Sequence, residues 1–201
     1  MEYEIIYDTA SGFVAQSAKL HYDALSYRSF ITFFGKGFLR ELYTALLKDG
    51  NAFIAAAHEG TTLAGFLLGC FDSTKMIPTI VRRWYRFLPH ILLGVVRNPS
   101  VIGKLVETLF YSEKEGEEIK PELVVIAVDG AIRSKGIGAG LVSVMDEEFK
   151  RRGVATYKVT VHNEMERSNH FYRKLGMTLA KSFTLYGVVW NVYTNTIGRR
   201  A

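Results

Sequence analysis

The chain has 201 residues, a net charge of +5, 48% hydrophobic and 22% charged residues, and one cysteine. This is an ordinary globular composition, long enough for one domain with a real core, and a lone cysteine excludes an intrachain disulfide. Met1-Glu2-Tyr3-Glu4 carries acids where a secretory signal needs bases, and the apolar stretch Phe87 to Val96 is too short to span a bilayer. A soluble, cytoplasmic protein is expected.

Strand character opens at Glu4 to Asp8. Helical spacing follows from Ser11, a plausible cap, to Leu25, and again from about Lys36 to Lys48, where Asp49-Gly50 stops it. Ala52 to His58 and Thr62 to Phe71 read as a hairpin across Glu59-Gly60. Cys70, at the end of an apolar run, reads as a small core residue.

Residues 76 to 112 break the alternation and read as an inserted helical hairpin. Pro78 opens its first helix, with Ile80, Val81, Trp84, Leu88, Ile91 and Val95 apolar and Arg82, Arg83, Arg86 and His90 on another side. Asn98-Pro99-Ser100 punctuates, with Ser100 able to cap a second helix carrying Val101, Ile102, Leu105, Val106, Leu109 and Phe110 on one face. There is no acid between Asp72 and Glu107, whereas six cations lie there, so the rest of the chain sums to −1. Any charge-based function belongs to this segment.

Leu123 to Val128 is a continuous apolar run, the mark of a central strand buried on both faces. Ile137 to Arg152 is an amphipathic helix ended by Gly153. Tyr157 to Val161 alternates as a strand, Glu166 to Leu175 is a short helix stopped by Gly176, and Met177–Leu185 and Val188–Ile197 close the chain as strands around Gly187. The fold class is α/β (α+β): a mixed central sheet flanked by helices, one domain over residues 1–201, with the insertion between the third and fourth strands.

The most informative segment joins the apolar strand to the amphipathic helix: Val128-Asp-Gly-Ala-Ile-Arg133-Ser134-Lys135-Gly136-Ile137-Gly138-Ala139-Gly140. A helix N-terminus offers unpaired N–H groups and the positive end of a dipole. Glycines at 136, 138 and 140 let an anion approach the backbone, and Arg133, Ser134 and Lys135 add charge and a hydroxyl; the set suits a diphosphate. No lysine follows the last glycine as a P-loop requires, and the third glycine comes one residue early for a dinucleotide fingerprint.

Arg133-x-x-Gly136-x-Gly138 resembles the Arg/Gln-x-x-Gly-x-Gly/Ala signature of the GNAT superfamily of N-acetyltransferases. Ser168-Asn169-His170-Phe171-Tyr172-Arg173-Lys174-Leu175-Gly176-Met177 is similar to that family's Ala-Asn-x-Phe-Tyr-x-Lys-x-Gly-Phe segment, with Ser168 for alanine and Met177 for phenylalanine. The resemblance spans roughly residues 120 to 180. It implies an acetyl-CoA-dependent transferase acting on a primary amine, with no metal. Carried over by position, Ile126 and Val128 would pair their backbones with the pantetheine arm. Arg133, Ser134, Lys135, Gly136, Ile137 and Gly138 would hold the pyrophosphate, with Ala139 at the helix start. Asn169 would bond the pantetheine and Tyr172 would face the thioester sulfur.

The chemistry needs a neutral amine, support for the developing oxyanion and a proton for the departing thiolate. Tyr172 is the acid the motif supplies, and a backbone N–H between Leu123 and Val128 would serve the oxyanion. For the base, Glu122, Asp129 and His162 stay open, His58 and His170 have no case beyond being histidines, and a water chain would also serve. The basic insertion points to an acidic acceptor such as a nucleotide-linked amino sugar; a solvated arginine face is an equal reading. Nucleic acid is not expected, because only Trp84 and Tyr85 sit among the arginines. Acetylation of protein N-termini or lysines, a non-catalytic acyl-CoA-binding module, a homodimer and a membrane-surface contact through the insertion complete the alternatives.

Overall fold

The computed structural model describes residues 1–25, 30–103, 119–132 and 135–198. Seven strands form one sheet: β1 (Glu2–Ile6), β2 (Ala52–Glu59), β3 (Thr62–Cys70), β4 (Glu122–Val128), β5 (Thr156–His162), β6 (Thr178–Leu185) and β7 (Val188–Thr196), in the order β1-β2-β3-β4-β5-β7-β6. Every pairing is antiparallel except β4 with β5. The expected mixed sheet is therefore present, although β1 starts and ends two residues earlier than its apolar pattern suggested.

Helices α1 (Gly12–Leu25) and α2 (Gly35–Lys48) cover one face, and α5 (Ile137–Arg151) and α6 (Glu166–Lys174) the other. Strand β2 shows why both faces close. Ala52, Ile54 and Ala56 pack toward α1 and α2, while Phe53, Ala55 and Ala57 pack toward α5 and α6, and none of the six is exposed. With apolar residues at both parities, a strand is stable only between two helical layers. Cys70 is a core residue as expected, and burial pushes its thiol up to about 12.

Between β3 and β4 lie α3 (Met76–Arg82) and α4 (Trp84–Arg97), so the insertion begins as expected. Two of its details differ. One continuous helix was expected, but the chain breaks at Arg83, which leaves the helical region with φ −111° and ψ 27°. After the break Phe87 and Gly94 are buried, whereas Trp84 and Leu88 are exposed. Phe87 meets Phe38 of α2 edge-on with ring centroids 5.2 Å apart. Gly94 sits where any Cβ would strike the Phe34 ring, so close approach of the two layers requires glycine there. At the following turn Asn98, not Ser100, acts as the cap: its Oδ1 accepts the Ser100 hydroxyl at 2.7 Å and the Ser100 N–H at 3.3 Å. Most of the expected second helix, residues 104–112, lies outside the described residues.

Candidate active site

Strands β4 and β5 run parallel but pair only at Glu122↔Lys158 and Leu123↔Val159. Beyond Leu123 they part. On its other side β4 stays paired with β3 to the end, through Gly65↔Val128, with one irregularity: Leu68 faces Val125 and Gly69 faces Leu123, leaving Val124 as an extra residue. This β-bulge appears in the packing as well. Leu123, Ile126 and Val128 belong to the core under α5 and α6, while the neighbours Val124 and Val125 both belong to the core under α1 and α2. A bulge bends its strand and sharpens the local twist, which is how one strand leaves a neighbour it has just paired with.

After β4 the chain turns at Asp129, whose carboxylate accepts the Ala131 N–H at 2.9 Å, and enters α5 through Gly136. Gly136 is left-handed, φ +79°, and an added Cβ there would meet nothing within 4 Å. Glycine is thus needed for conformation, and space stands open beside it. Lys135 is exposed just ahead of it. Arg133 and Ser134, the other two expected anion ligands, lie outside the described residues.

The remaining glycines divide their roles. Gly138 has the Phe171 ring 3.3 Å from where its Cβ would stand and Ile126 at 3.8 Å, so it lets α6 and β4 close on the first turn of α5. At Gly140 a Cβ would collide with the Tyr3 ring of β1. Its absence serves packing under the sheet edge, not the anion approach expected from the sequence. Ile137 is buried against the sheet at the helix start, and Ala139 is exposed one turn in.

Tyr172 points into the core from α6, 4% exposed, with the Tyr193 ring centroid of β7 at 6.1 Å. Burial alone pushes its phenol up, so the hydroxyl stays a proton donor throughout the neutral range. Asn169, one turn earlier, is spent within the protein. Its amide nitrogen donates to the carbonyls of Met165 at 2.9 Å, His162 at 3.0 Å and Asn163 at 3.1 Å. Its carbonyl accepts Asn191 Nδ2 at 2.9 Å and the Tyr193 hydroxyl at 3.0 Å. Both amide hydrogens therefore have carbonyl acceptors within the protein. Asn169 ties the end of β5 to the start of α6 and so fixes where Phe171 and Tyr172 stand.

The base candidates separate by position. Glu122 lies at the bulged strand's first residue, buried, with its carboxylate 3.8 Å from Lys158 Nζ of β5. Strand parity puts both side chains on the α1–α2 face, because Leu123 and Val159 face the other way. Lys158 was not singled out from the sequence. Its place in an alternating strand resembles a solvent-facing one, yet only 4% of it is exposed. His162 accepts the Glu164 N–H at 3.2 Å through Nδ1, which ties up that lone pair. His58 Nδ1 donates to the Gly60 carbonyl, 2.9 Å away at the turn between β2 and β3, and His170 is exposed on α6.

The basic insertion is already neutralised in part. Arg82 and Arg83 both ion-pair with Asp49, and Arg86 lies 3.5 Å from Glu41, both acids belonging to the α2 region. Arg82, Arg83 and Arg86 thereby pin the insertion onto α2. No described helix is long and apolar enough to cross a membrane. Among the described residues no cluster of side chains suits a metal ion.

Solved structures share this fold. YncA from Salmonella typhimurium, an acetyltransferase structure with its cofactor acetyl-CoA, superposes with a TM-score of 0.60 at 13% identity, over 100% of this chain and 97% of its own. An aminoglycoside 6'-acetyltransferase type Ii gives 0.62 at 14%, over 100% of both chains. The PaiA N-acetyltransferase from Thermoplasma acidophilum, in complex with coenzyme A, gives 0.54 at 15%, over 98% of this chain and 99% of its own. No curated protein matches the sequence. The acetyltransferase (GNAT) family profile matches residues 22–177, the bulged strand, the glycine turn and Tyr172 included, and the chain belongs to that family.

Proposed function

We propose that the protein transfers the acetyl group of acetyl-CoA to a primary amine of a small molecule, an amino sugar being the leading class. The parting of β4 from β5 beyond Leu123 carries this reading. It leaves an extended backbone edge able to pair with an amide-bearing arm, and the chain runs from that strand's end into a helix N-terminus led by left-handed Gly136. The residues fit acetyl-CoA: an open glycine turn for the diphosphate at Lys135, Gly136, Ile137, Gly138 and Ala139, which Arg133 and Ser134 precede in the sequence, and the Ile126 and Val128 backbones for the pantetheine. Two structural neighbours carry coenzyme A or its acetyl form, which supports the same reading. Acetyl-CoA would supply an activated carbonyl and a thiolate leaving group.

The protein's own part is then threefold. A backbone N–H of β4 near the bulge steadies the charge that grows on the carbonyl oxygen, at no cost in reorganisation. Tyr172 gives its proton to the departing sulfur. Glu122, on the α1–α2 face, takes the proton of the incoming amine, with Lys158 holding the carboxylate in place. Asn169 acts on Tyr172 by fixing α6. The amino-sugar acceptor draws support from the aminoglycoside-modifying neighbour; an acidic acceptor loses its support, since Arg82, Arg83 and Arg86 already have carboxylate partners. The test is thiol release from acetyl-CoA against a panel of amino sugars, polyamines and short peptides. Turnover on small amines is expected. Turnover confined to peptides would overturn the acceptor class, and coenzyme binding without any turnover would overturn the enzyme.

A further inference from the structure

We infer that the outer face of α3 and α4 docks on an anionic lipid bilayer. Eight of the thirteen large hydrophobic side chains exposed among the described residues lie between Val81 and Ile102. Along α4, Trp84, Leu88, Leu92 and Val96 recur every four residues and form one stripe, bordered by Tyr85, and Val81 is exposed on α3 just before the break at Arg83. Val96 is 79% exposed, Tyr85 62% and Trp84 60%. Other exposed hydrophobics among the described residues are scattered singly, which needs no explanation; a continuous stripe does.

Charge selects the occupant. A second copy would bring this face against itself about a two-fold axis. No acid lies between residues 73 and 106, so such an interface would oppose cations to cations. Among the described residues, Asp49, Glu41 and Asp72 beside this segment are already held by Arg82, Arg83, Arg86 and Lys75. An anionic headgroup layer meets both features at once. The apolar stripe enters the acyl boundary, Trp84 and Tyr85 sit at the polar edge, and the cations at the rim find phosphates. Of these, Arg97 is exposed at the end of α4, Lys75, 3.7 Å from Asp72, is 65% exposed, and Arg82, although it touches Asp49, is 64% exposed. The helices lie on the surface and do not enter it: Pro89 interrupts α4 and neither helix can span. This docking does not depend on the transfer chemistry.

The test is co-sedimentation of the full chain with phosphatidylcholine vesicles, with and without about 30% phosphatidylglycerol, at low and high salt. Binding is expected only with the anionic lipid, weakening as salt screens the rim. The double variant L92S/V96S alters exposed positions only, so it should unfold at the wild-type temperature yet bind about tenfold more weakly. In a Trp190→Phe background, Trp84 emission should shift to the blue on anionic vesicles. Failure of the wild type to bind anionic vesicles at low salt would overturn the inference. So would a wild-type dimer, by light scattering, that L92S/V96S converts to monomer, because a second copy would then be the occupant.

Discussion

At the scale of single residues, the most pointed expectation concerns Tyr172. Its ring is packed on all sides, so Tyr172→Phe keeps the fold and removes only the proton donor. A fall in kcat of about 10², with coenzyme affinity unchanged, is expected if the phenol serves the leaving thiolate. Wild-type kcat with chemistry shown to be rate-limiting would reduce Tyr172 to a packing residue. The direction of its pKa adds a second readout. Burial raises it, so the acid form persists to high pH, and the rate profile should show no loss up to about pH 10 that depends on Tyr172. A base acts in the other sense: if Glu122 accepts the amine proton, Glu122→Gln should lower kcat/KM for the acceptor and leave coenzyme binding intact.

At the scale of elements, one helix start and one helix pair make claims. The start of α5 holds an exposed lysine before an open glycine turn, so Lys135→Glu should weaken coenzyme A binding about tenfold without changing the melting temperature. Isothermal titration reads this directly, and unaltered affinity would move the anion site elsewhere. Where α1 meets α2, buried His21 bonds Tyr43 at 2.5 Å, and burial holds its imidazole down at about 4. The unfolded chain takes up that proton near the ordinary histidine value of about 6.5, the folded one only near 4. The unfolded state therefore binds more protons across this window, and stability is lost as pH falls through it, by on the order of 3 kcal/mol. Denaturant titrations of wild type and His21→Gln between pH 7 and 4 check this; parallel curves would refute it.

The elements also show what was legible in the chain. Turn residues placed the hairpins well, since left-handed Gly60 between β2 and β3, and Tyr186 and Gly187 between β6 and β7, close them. The glycine turn before α5 and the Asn-x-Phe-Tyr stretch were legible because close approach and special φ leave residue types behind. The bulge at Val124 was not. Six consecutive apolar residues carry no alternation to slip, so a doubled residue leaves no trace in the pattern. Nor was burial of Lys158, since the same alternation describes a strand facing water and one facing an ion pair under α1 and α2. Arg83 carries no helix-breaking signal, so the break between α3 and α4 left no trace in the sequence.

At the scale of the whole molecule, the question is what the basic insertion does for the rest of the fold. Asp49, at the end of α2, receives Arg82, Arg83 and the Thr79 hydroxyl at 2.7 Å, and its side chain is 13% exposed. Arg83 and Thr79 lower its carboxyl pKa, while burial opposes them. Arg86 reaches Glu41 one face along. These two nodes, with Phe87 on Phe38 and Gly94 under Phe34, fasten the insertion to α2. Exposed ion pairs contribute about 0 to 1 kcal/mol each, and Arg82, 64% exposed, belongs at the low end. The part-buried Asp49 contributes more, because removing its partners strands a desolvated charge. The triple variant R82Q/R83Q/R86Q should therefore lose on the order of 1–2 kcal/mol, a drop of a few degrees in Tm, and the loss should shrink at high salt. Acceptor KM should not move. A raised acceptor KM at unchanged Tm would mean that the arginines meet substrate and that Asp49 and Glu41 hold them only until it arrives.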